Sequence, residues 1–161
     1  MSDTRTRSAT VIEPDQLREH WQGHRRATRR VIDAFPEQEL FAFTIGGMRP
    51  FGALALEFIH MAVPIVRGVA TGEWKMDDRG SPSTKAELLR LWDADTAEID
   101  RLWPTIPPHR FQEHDVAFGQ WPGPGYGTIL YAIDNEIHHR GQGYVYLRAL
   151  GIAPPPFFER G

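Results

Sequence analysis

The most informative segment of this chain runs from Thr128 to Leu150 and reads TILYAIDNEIHHRGQGYVYLRAL. It contains no proline, Gly151 follows it directly, and a run of prolines begins at Pro154. Glycine suits the left-handed position just beyond a helix, and the prolines prevent the helix from resuming. The segment therefore predicts one long helix, the last of the chain, from about Thr128 to Leu150.

This predicted helix carries two nearly opposite stripes at 100° per residue, and neither has the charged composition of a typical solvent-facing surface. The first stripe is apolar and consists of Leu130, Ile133, Ile137 and Tyr144. The second consists of Asn135, His139, Gln142 and Tyr146. One stripe is expected to face the protein interior and the other a partner subunit, so the pattern predicts a homodimer. Asn135 and His139 are four residues apart and their side chains meet, either as a structural hydrogen-bonded pair or as part of a site.

Three further helices are predicted upstream of this segment. The first runs from Glu13 to Phe35 and ends before Pro36. The second runs from about Arg49 to Thr71, because Pro50 suits a first helical turn and Gly72 suits a stop. The third opens at Ser83 and carries an apolar stripe of Leu88, Leu91, Trp92, Ile99 and Leu102.

Four such helices without credible strand alternation predict an all-α fold, a four-helix bundle that forms one domain over residues 1–161. Residues 1–10 are expected to be a flexible tail. The links after the second and third helices, residues 73–82 and 103–127, are long for a bundle. The up-down-down-up and up-down-up-down orders therefore both remain possible, and the second link is expected to cover a functional site.

Composition excludes several classes of protein. The chain has no cysteine among its 161 residues, so disulfides and a protein thiol nucleophile are excluded, and any soft-metal chemistry must use its histidines. A net charge of −3 argues against nucleic-acid binding. The apolar run of residues 54–70 contains Glu57, His60 and Arg67 and is too polar to span a membrane. We expect a cytoplasmic protein, and we interpret Arg25, Arg26, Arg29 and Arg30 as a solvated basic face.

The segment DNEIHHRGQ at residues 134–142 resembles the signature of the DinB-like (YfiT-like) superfamily. The similarity continues through residues 146–148 and Gly151 to Pro154 and Pro155. Trp21, the sequence GMRP at residues 47–50 and His60 agree with it. The resemblance spans most of the chain, although the segment from residue 134 is its specific part, and it implies a four-helix bundle.

The resemblance also implies a divalent metal, usually zinc or nickel, held by one histidine of the second helix and two of the last. His60 and His139 match two of these ligands, whereas the third position is Asn135. An amide oxygen is a poor ligand for zinc or nickel, so the site is expected to be weak, altered or empty. Glu136 and Glu57 each lie three residues before one of the histidines and are the candidate replacement ligands.

The same residues allow a second metal hypothesis. Glu57 with His60 and Glu136 with His139 form two Glu-x-x-His pairs, which ferritin-like di-iron bundles place on two of their helices. Those bundles add one glutamate from each remaining helix, and Glu19 and Glu98 are candidates. A di-iron carboxylate bundle is therefore a further alternative.

The function implied by the resemblance is that of a metal-dependent thiol S-transferase. A metal-bound low-molecular-weight thiol such as bacillithiol becomes a thiolate at neutral pH and attacks an electrophilic small-molecule substrate. Gln142 and Tyr146, beyond His139 on the same helix, are candidates for orienting that substrate. The alternative is a non-catalytic bundle that acts as a stress-associated binding or interaction module, with a degenerate or empty metal site.

Overall fold

A computed structural model describes residues 10–161, and the predicted flexible tail lies almost entirely outside this range. The described residues contain five α-helices, two short 3₁₀ helices and one hairpin. The α-helices are α1 (Pro14–Ala34), α2 (Glu37–Ala42), α3 (Phe51–Thr71), α4 (Lys85–Leu102) and α5 (Gly125–Ala149). The 3₁₀ helices are Trp103–Thr105 and Pro108–Phe111, and the strands are β1 (His114–Ala117) and β2 (Trp121–Pro124).

The four long helices form the predicted bundle, in up-down-down-up order. A first apolar cluster contains Leu17 of α1, Val69 of α3, Ile99 of α4 and Ile129 of α5. A second cluster contains Phe35 of α1, Phe51 of α3, Leu88 of α4 and Leu147 of α5. The first cluster joins the beginnings of α1 and α5 to the ends of α3 and α4, and the second cluster joins the opposite ends. Helices α3 and α4 are therefore parallel to each other and antiparallel to α1 and α5.

Parallel neighbours require a connection that returns along the bundle, and residues 72–84 provide it. Trp74 packs on α3 at Gly68, where a Cβ atom would come within 2.1 Å of the indole ring. Asp77 then forms an ion pair with Arg67, at 2.8 Å. This linker ends at Thr84, whose side chain accepts a hydrogen bond from the Glu87 backbone N–H and caps α4.

The prediction that the chain lacks strands is wrong. Strands β1 and β2 pair antiparallel within the second long link, with His114 opposite Pro124 and Ala117 opposite Trp121. Successive positive φ angles at Phe118 (53°) and Gly119 (70°) turn the chain between them. Helix α5 then begins at Gly125, three residues before the predicted start.

Helix α5 faces the interior along a stripe that differs from the predicted apolar stripe. Its buried residues are Gly125, Ile129, Ala132, Ile133, Glu136, Arg140, Gly143, Tyr146 and Leu147. Ile137 of the apolar stripe is 36% exposed, whereas Tyr146 of the other stripe is buried. The buried stripe includes one glutamate and one arginine. A search for the most apolar face of the helix therefore does not identify the face that is buried.

Helix α3 is apolar and long enough to cross a membrane, although its sequence is predicted to be too polar to do so. Most of its residues are buried against the other helices of the bundle, including Leu54, Ile59 and Val66. This burial identifies α3 as the core helix of the bundle, since the core helix of a globular protein has the same composition as a membrane span.

The contact between α3 and α5 gives a stability prediction. A Cβ added at Gly143 would lie 2.6 Å from the Phe51 ring. We therefore expect Gly143→Ala to lower the free energy of unfolding by about 1–3 kcal/mol, as overpacked cores do. Gly141→Ala is the matched control, because no described atom outside the helix lies within 4 Å of that position. It should raise stability by about 0.5–1 kcal/mol through helix propensity. Urea denaturation followed by circular dichroism measures both, and equal effects would contradict the close helix contact.

Candidate functional site

Four polar side chains meet between α3 and α5. Asn135 Nδ2 donates a hydrogen bond to Glu57 Oε1 at 3.1 Å, and His139 Nε2 lies 3.6 Å from the same oxygen. Arg49 Nη1 forms an ion pair with Glu57 Oε2 at 2.6 Å. Asn135 and His139 lie one turn apart on α5, and both face Glu57 of α3. We call Arg49, Glu57, Asn135 and His139 the cleft cluster.

The charges of the cleft cluster are fixed by its own contacts. Burial alone would raise the pKa of Glu57, but hydrogen bonds from Arg49 and Asn135 outweigh it and hold that pKa below its usual range. Burial lowers the pKa of His139, and the Glu57 carboxylate opposes this only in part. At neutral pH the cluster therefore contains a carboxylate, a guanidinium and a neutral imidazole.

The two ring nitrogens of His139 have different surroundings, Nδ1 being buried and Nε2 facing Glu57. Its ring stacks on Phe58, with centroids 6.1 Å apart. Its Nδ1 is buried and has no hydrogen-bond partner within residues 10–161. A buried N–H without a partner costs more than a buried lone pair, so the proton belongs on Nε2, which faces Glu57. The Nε2···Oε1 distance of 3.6 Å is too long for a hydrogen bond, so Glu57 does not accept this N–H.

The structure places the other predicted site residues outside the cluster. Among the described residues, no hydrogen bond or ion pair joins His60 to the cluster, which instead uses Glu57 one turn earlier on α3. Gln142 lies beside His138, with 3.4 Å between their side-chain nitrogens, and a hydrogen bond from its side chain opposes the lowering of the His139 pKa. Tyr146 is fully buried, and its hydroxyl donates to the backbone oxygen of Arg49 at 3.0 Å, which positions Arg49 at the start of α3.

Glu136 points away from His139, towards α1. It is 1% exposed and accepts hydrogen bonds from Thr28 Oγ1 at 2.5 Å and Trp21 Nε1 at 3.2 Å. The structure therefore does not bring Glu136 and His139 to one ion. Burial raises the pKa of Glu136, whereas the guanidiniums of Arg25 and Arg140 oppose that rise.

The basic run on α1 is not the solvated face that its sequence indicates. Arg25 is fully buried, and its Nη2 donates to the backbone oxygen of Trp92 at 3.1 Å. Arg26, Arg29 and Arg30 lie nearer the surface, where Arg29 forms an ion pair with Asp93 at 2.7 Å. Their contacts lie within the chain, so they do not form a free basic patch.

His24 is buried as well and predicts a pH dependence. Burial, followed by the charge of Arg140, lowers its pKa from 6.5 to about 3. Arg140 Nη2 lies 2.9 Å from His24 Nδ1, and since arginine only donates, Nδ1 accepts. The unfolded chain binds more protons than the folded chain between these pKa values, so stability is present above pH 6.5 and falls as the pH drops towards 3. The expected loss from His24 is at most about 1.4 kcal/mol per pH unit.

Thermal unfolding between pH 4 and pH 7 measures this effect. His24→Asn retains an acceptor for Arg140 but does not titrate, so its melting temperature should fall less on acidification than that of the wild type. His109→Asn, at an exposed position, is the control and should retain the wild-type slope. Equal slopes for wild type and His24→Asn would contradict a buried neutral His24.

The donor set of the cleft cluster does not fit the three-histidine metal centre that the resemblance implies. The described residues contain no group of three or more histidine, aspartate or glutamate side chains arranged to hold an ion. Asn135 directs its amide N–H groups, not its oxygen, at Glu57, and the guanidinium of Arg49 already supplies a positive charge there. A metal at this position would have to displace both contacts.

An all-α bundle of up-down-down-up order, with a polar cleft between its second and fourth long helices, defines the structural class of this protein. The sequence matches the profile of the DinB family over residues 1–160, and the chain therefore belongs to the DinB family. The fold is similar to that of the DinB-like protein YjoA from Bacillus subtilis, with a TM-score of 0.72 and 15% identity over 91% of this chain and 99% of that one.

A DinB-like protein from Bacillus cereus is also similar, with a TM-score of 0.70 and 20% identity over 88% of this chain and 95% of that one. At these identities the two structures establish the fold alone. No protein with a curated description matches the sequence.

Proposed function

We propose that this DinB family member binds a small molecule in the cleft between α3 and α5 without a metal ion. The observation that carries the proposal is the cleft cluster itself, in which Arg49 and Asn135 hold the Glu57 carboxylate that faces His139. The contacts within the cluster satisfy Glu57 but leave two hydrogen-bonding groups for a ligand. These are the N–H of His139 Nε2 and the Asn135 amide oxygen.

The chemistry of these groups favours a neutral ligand that both accepts and donates hydrogen bonds, such as an amide or a hydroxyl. The charges of Arg49 and Glu57 offset each other at 2.6 Å, so a strongly charged ligand would gain little. The ligand would accept from His139 and donate to Asn135. Directed donors and acceptors of this kind fix a ligand's orientation within an otherwise apolar site.

The metal-dependent thiol S-transferase implied by the family resemblance is the second candidate, and membership of the DinB family is what favours it. It requires a divalent metal that the donor set of this chain does not fit. The di-iron alternative has less support still, because Glu136 is hydrogen-bonded to α1 and not directed at His139. We therefore place both below metal-free binding.

Selective labelling of the methionine ε-methyl groups tests the binding proposal. Met61 lies against the cluster, with its Sδ 3.6 Å from Asn135 Nδ2. In a screen of neutral amides and alcohols, we expect ligands that shift the Met61 resonance. Asn135→Ala should abolish these shifts, whereas Asp134→Ala, on the adjacent exposed position, should retain them.

Elemental analysis and a turnover assay separate this proposal from the transferase. Metal-free binding predicts negligible zinc and nickel in tag-free protein, and no conjugation of thiols, bacillithiol included, to a chromogenic electrophile. Near-stoichiometric metal that is lost in the His60→Ala/His139→Ala double variant, together with thiol-dependent turnover, would overturn the proposal and establish the transferase.

A further inference from the structure

An apolar cavity of about 450 Å³ lies beside the cleft cluster, between α3, the hairpin and the beginning of α5. Met61 and Ile65 of α3, Met76 of the linker, Phe118 and Trp121 of the hairpin and Tyr131 of α5 form its main walls. Within the described part of the chain, no charged residue lines it. Its volume lies within the range of small-molecule sites, which is about 300–1,000 Å³.

Met61 connects this cavity to the cleft cluster. Its side chain lines the cavity, while its sulfur lies 3.6 Å from Asn135 Nδ2. Tyr131 lies one helical turn before Asn135 on α5, and Asn135 lies one turn before His139. The cavity and the cleft cluster therefore adjoin each other at Met61.

The hairpin is built so that its aromatic rings form the outer wall. Phe118 adopts a φ of 53°, a left-handed conformation that costs a non-glycine residue roughly 1–2 kcal/mol. The Phe118 ring packs edge-to-face against Trp74 at 5.4 Å and against Trp121 at 6.1 Å. Trp121 itself is 60% exposed and Tyr131 is 62% exposed, so the rim offers apolar surface that an occupant would cover.

We propose that this cavity binds an uncharged aromatic or aliphatic portion of the ligand whose polar end lies against the cleft cluster. The inference rests on the proposed function for the position of that polar end. For the apolar portion, the inference rests on the residues that line the cavity. Flexible methionines adapt to varied shapes and aromatic rings stack on flat groups. The absence of charged lining residues disfavours an ionised group.

Two fluorescent probes with a shared ring framework test the chemical class. N-phenyl-1-naphthylamine is neutral, and 8-anilino-1-naphthalenesulfonate adds a sulfonate to the same framework. We expect saturable binding of the neutral probe, one per chain, and binding of the sulfonate at least about tenfold weaker. The neutral probe should shift the ε-methyl resonances of Met61 and Met76 and leave Met48 unchanged.

Substitutions locate the probe. Trp121→Ala removes an exposed wall without disturbing the core and should weaken the neutral probe about tenfold, whereas Phe158→Ala, at an exposed position outside the cavity, should leave its affinity within twofold. Asn135→Ala should also leave it within twofold, because this probe fills only the apolar portion. Loss of the polar ligands in Asn135→Ala with retention of the probe would support both proposals.

Three outcomes would overturn the inference. They are no saturable binding of the neutral probe, equal affinity for the sulfonate, or a doubled molar mass by light scattering that Trp121→Ala abolishes, which would assign this surface to a second copy of the chain. None of these outcomes contradicts ligand binding at the cleft cluster, provided that polar ligands still shift the Met61 resonance. Conversely, the neutral probe could bind while no polar ligand is found whose binding requires Asn135. That result would contradict the proposed function but would still support an apolar binding site in the cavity.

Discussion

Glu136→Ala is expected to lower the free energy of unfolding by about 2–5 kcal/mol, because it removes the acceptor of two buried hydrogen-bond donors. The carboxylate is 1% exposed and accepts from Thr28 and Trp21. Its loss leaves these two buried donors without an acceptor. Urea denaturation at pH 7, followed by circular dichroism, measures the change.

Two further variants divide this effect into its parts. Glu136→Gln retains an oxygen acceptor and the side-chain volume, so it should cost less than Glu136→Ala. Asp134→Ala changes an exposed acid on the same helix and should stay within about 0.5 kcal/mol of the wild type. If Glu136→Ala is no more destabilising than Asp134→Ala, the buried network contributes nothing to stability.

Asn135→His is expected to raise the affinity for zinc or nickel by about 100-fold or more. The new imidazole would lie one turn before His139 and opposite Glu57, whose Oε1 is 3.1 Å from the present amide nitrogen. Two histidines and one carboxylate form a common zinc ligand set. Competition with a chromophoric chelator measures the affinity of the wild type and of the variant.

The ligands of that engineered site can be identified by a second substitution. Adding His139→Ala to Asn135→His should abolish the gain, since only one histidine and the carboxylate would remain. Adding His60→Ala tests the position that the resemblance assigns to the third ligand, and we expect it to leave the gain intact, because the cluster uses Glu57 and not His60. No gain from Asn135→His alone would mean that positions 135, 139 and 57 do not converge on an ion.

The long helices were predictable from the sequence because strong local signals end them. Pro36 ends the first, Gly72 stops α3, and Gly151 stops α5, so each predicted C-terminus lies within one residue of the observed one. The hairpin was not predictable, since WPGP in β2 has neither alternation nor β-branched residues. Its strands depend on tertiary contacts and on a turn in which Phe118, not only Gly119, has a positive φ.

The candidate site was predictable only in part. The spacing of Asn135 and His139 predicted that they meet, and Glu57 was expected as an auxiliary ligand. Arg49 was missed, because it precedes α3 and no helical phase relates it to the cluster. Glu136 was misplaced for a different reason: helical geometry puts it within reach of His139, and only contacts with a helix more than a hundred residues away in sequence turn it to the opposite side.

The return path of the chain between α3 and α4 constrains how this family member can change. Helix α3 has 21 residues and spans about 31 Å, and residues 72–84 must cover that distance in the opposite direction. Fully extended, they reach roughly 45 Å. The segment therefore has slack for about four residues, and a longer deletion would pull α4 out of register with α3. Both the length of this segment and the side chains that fasten it to α3, Trp74 and Asp77, should therefore be preserved.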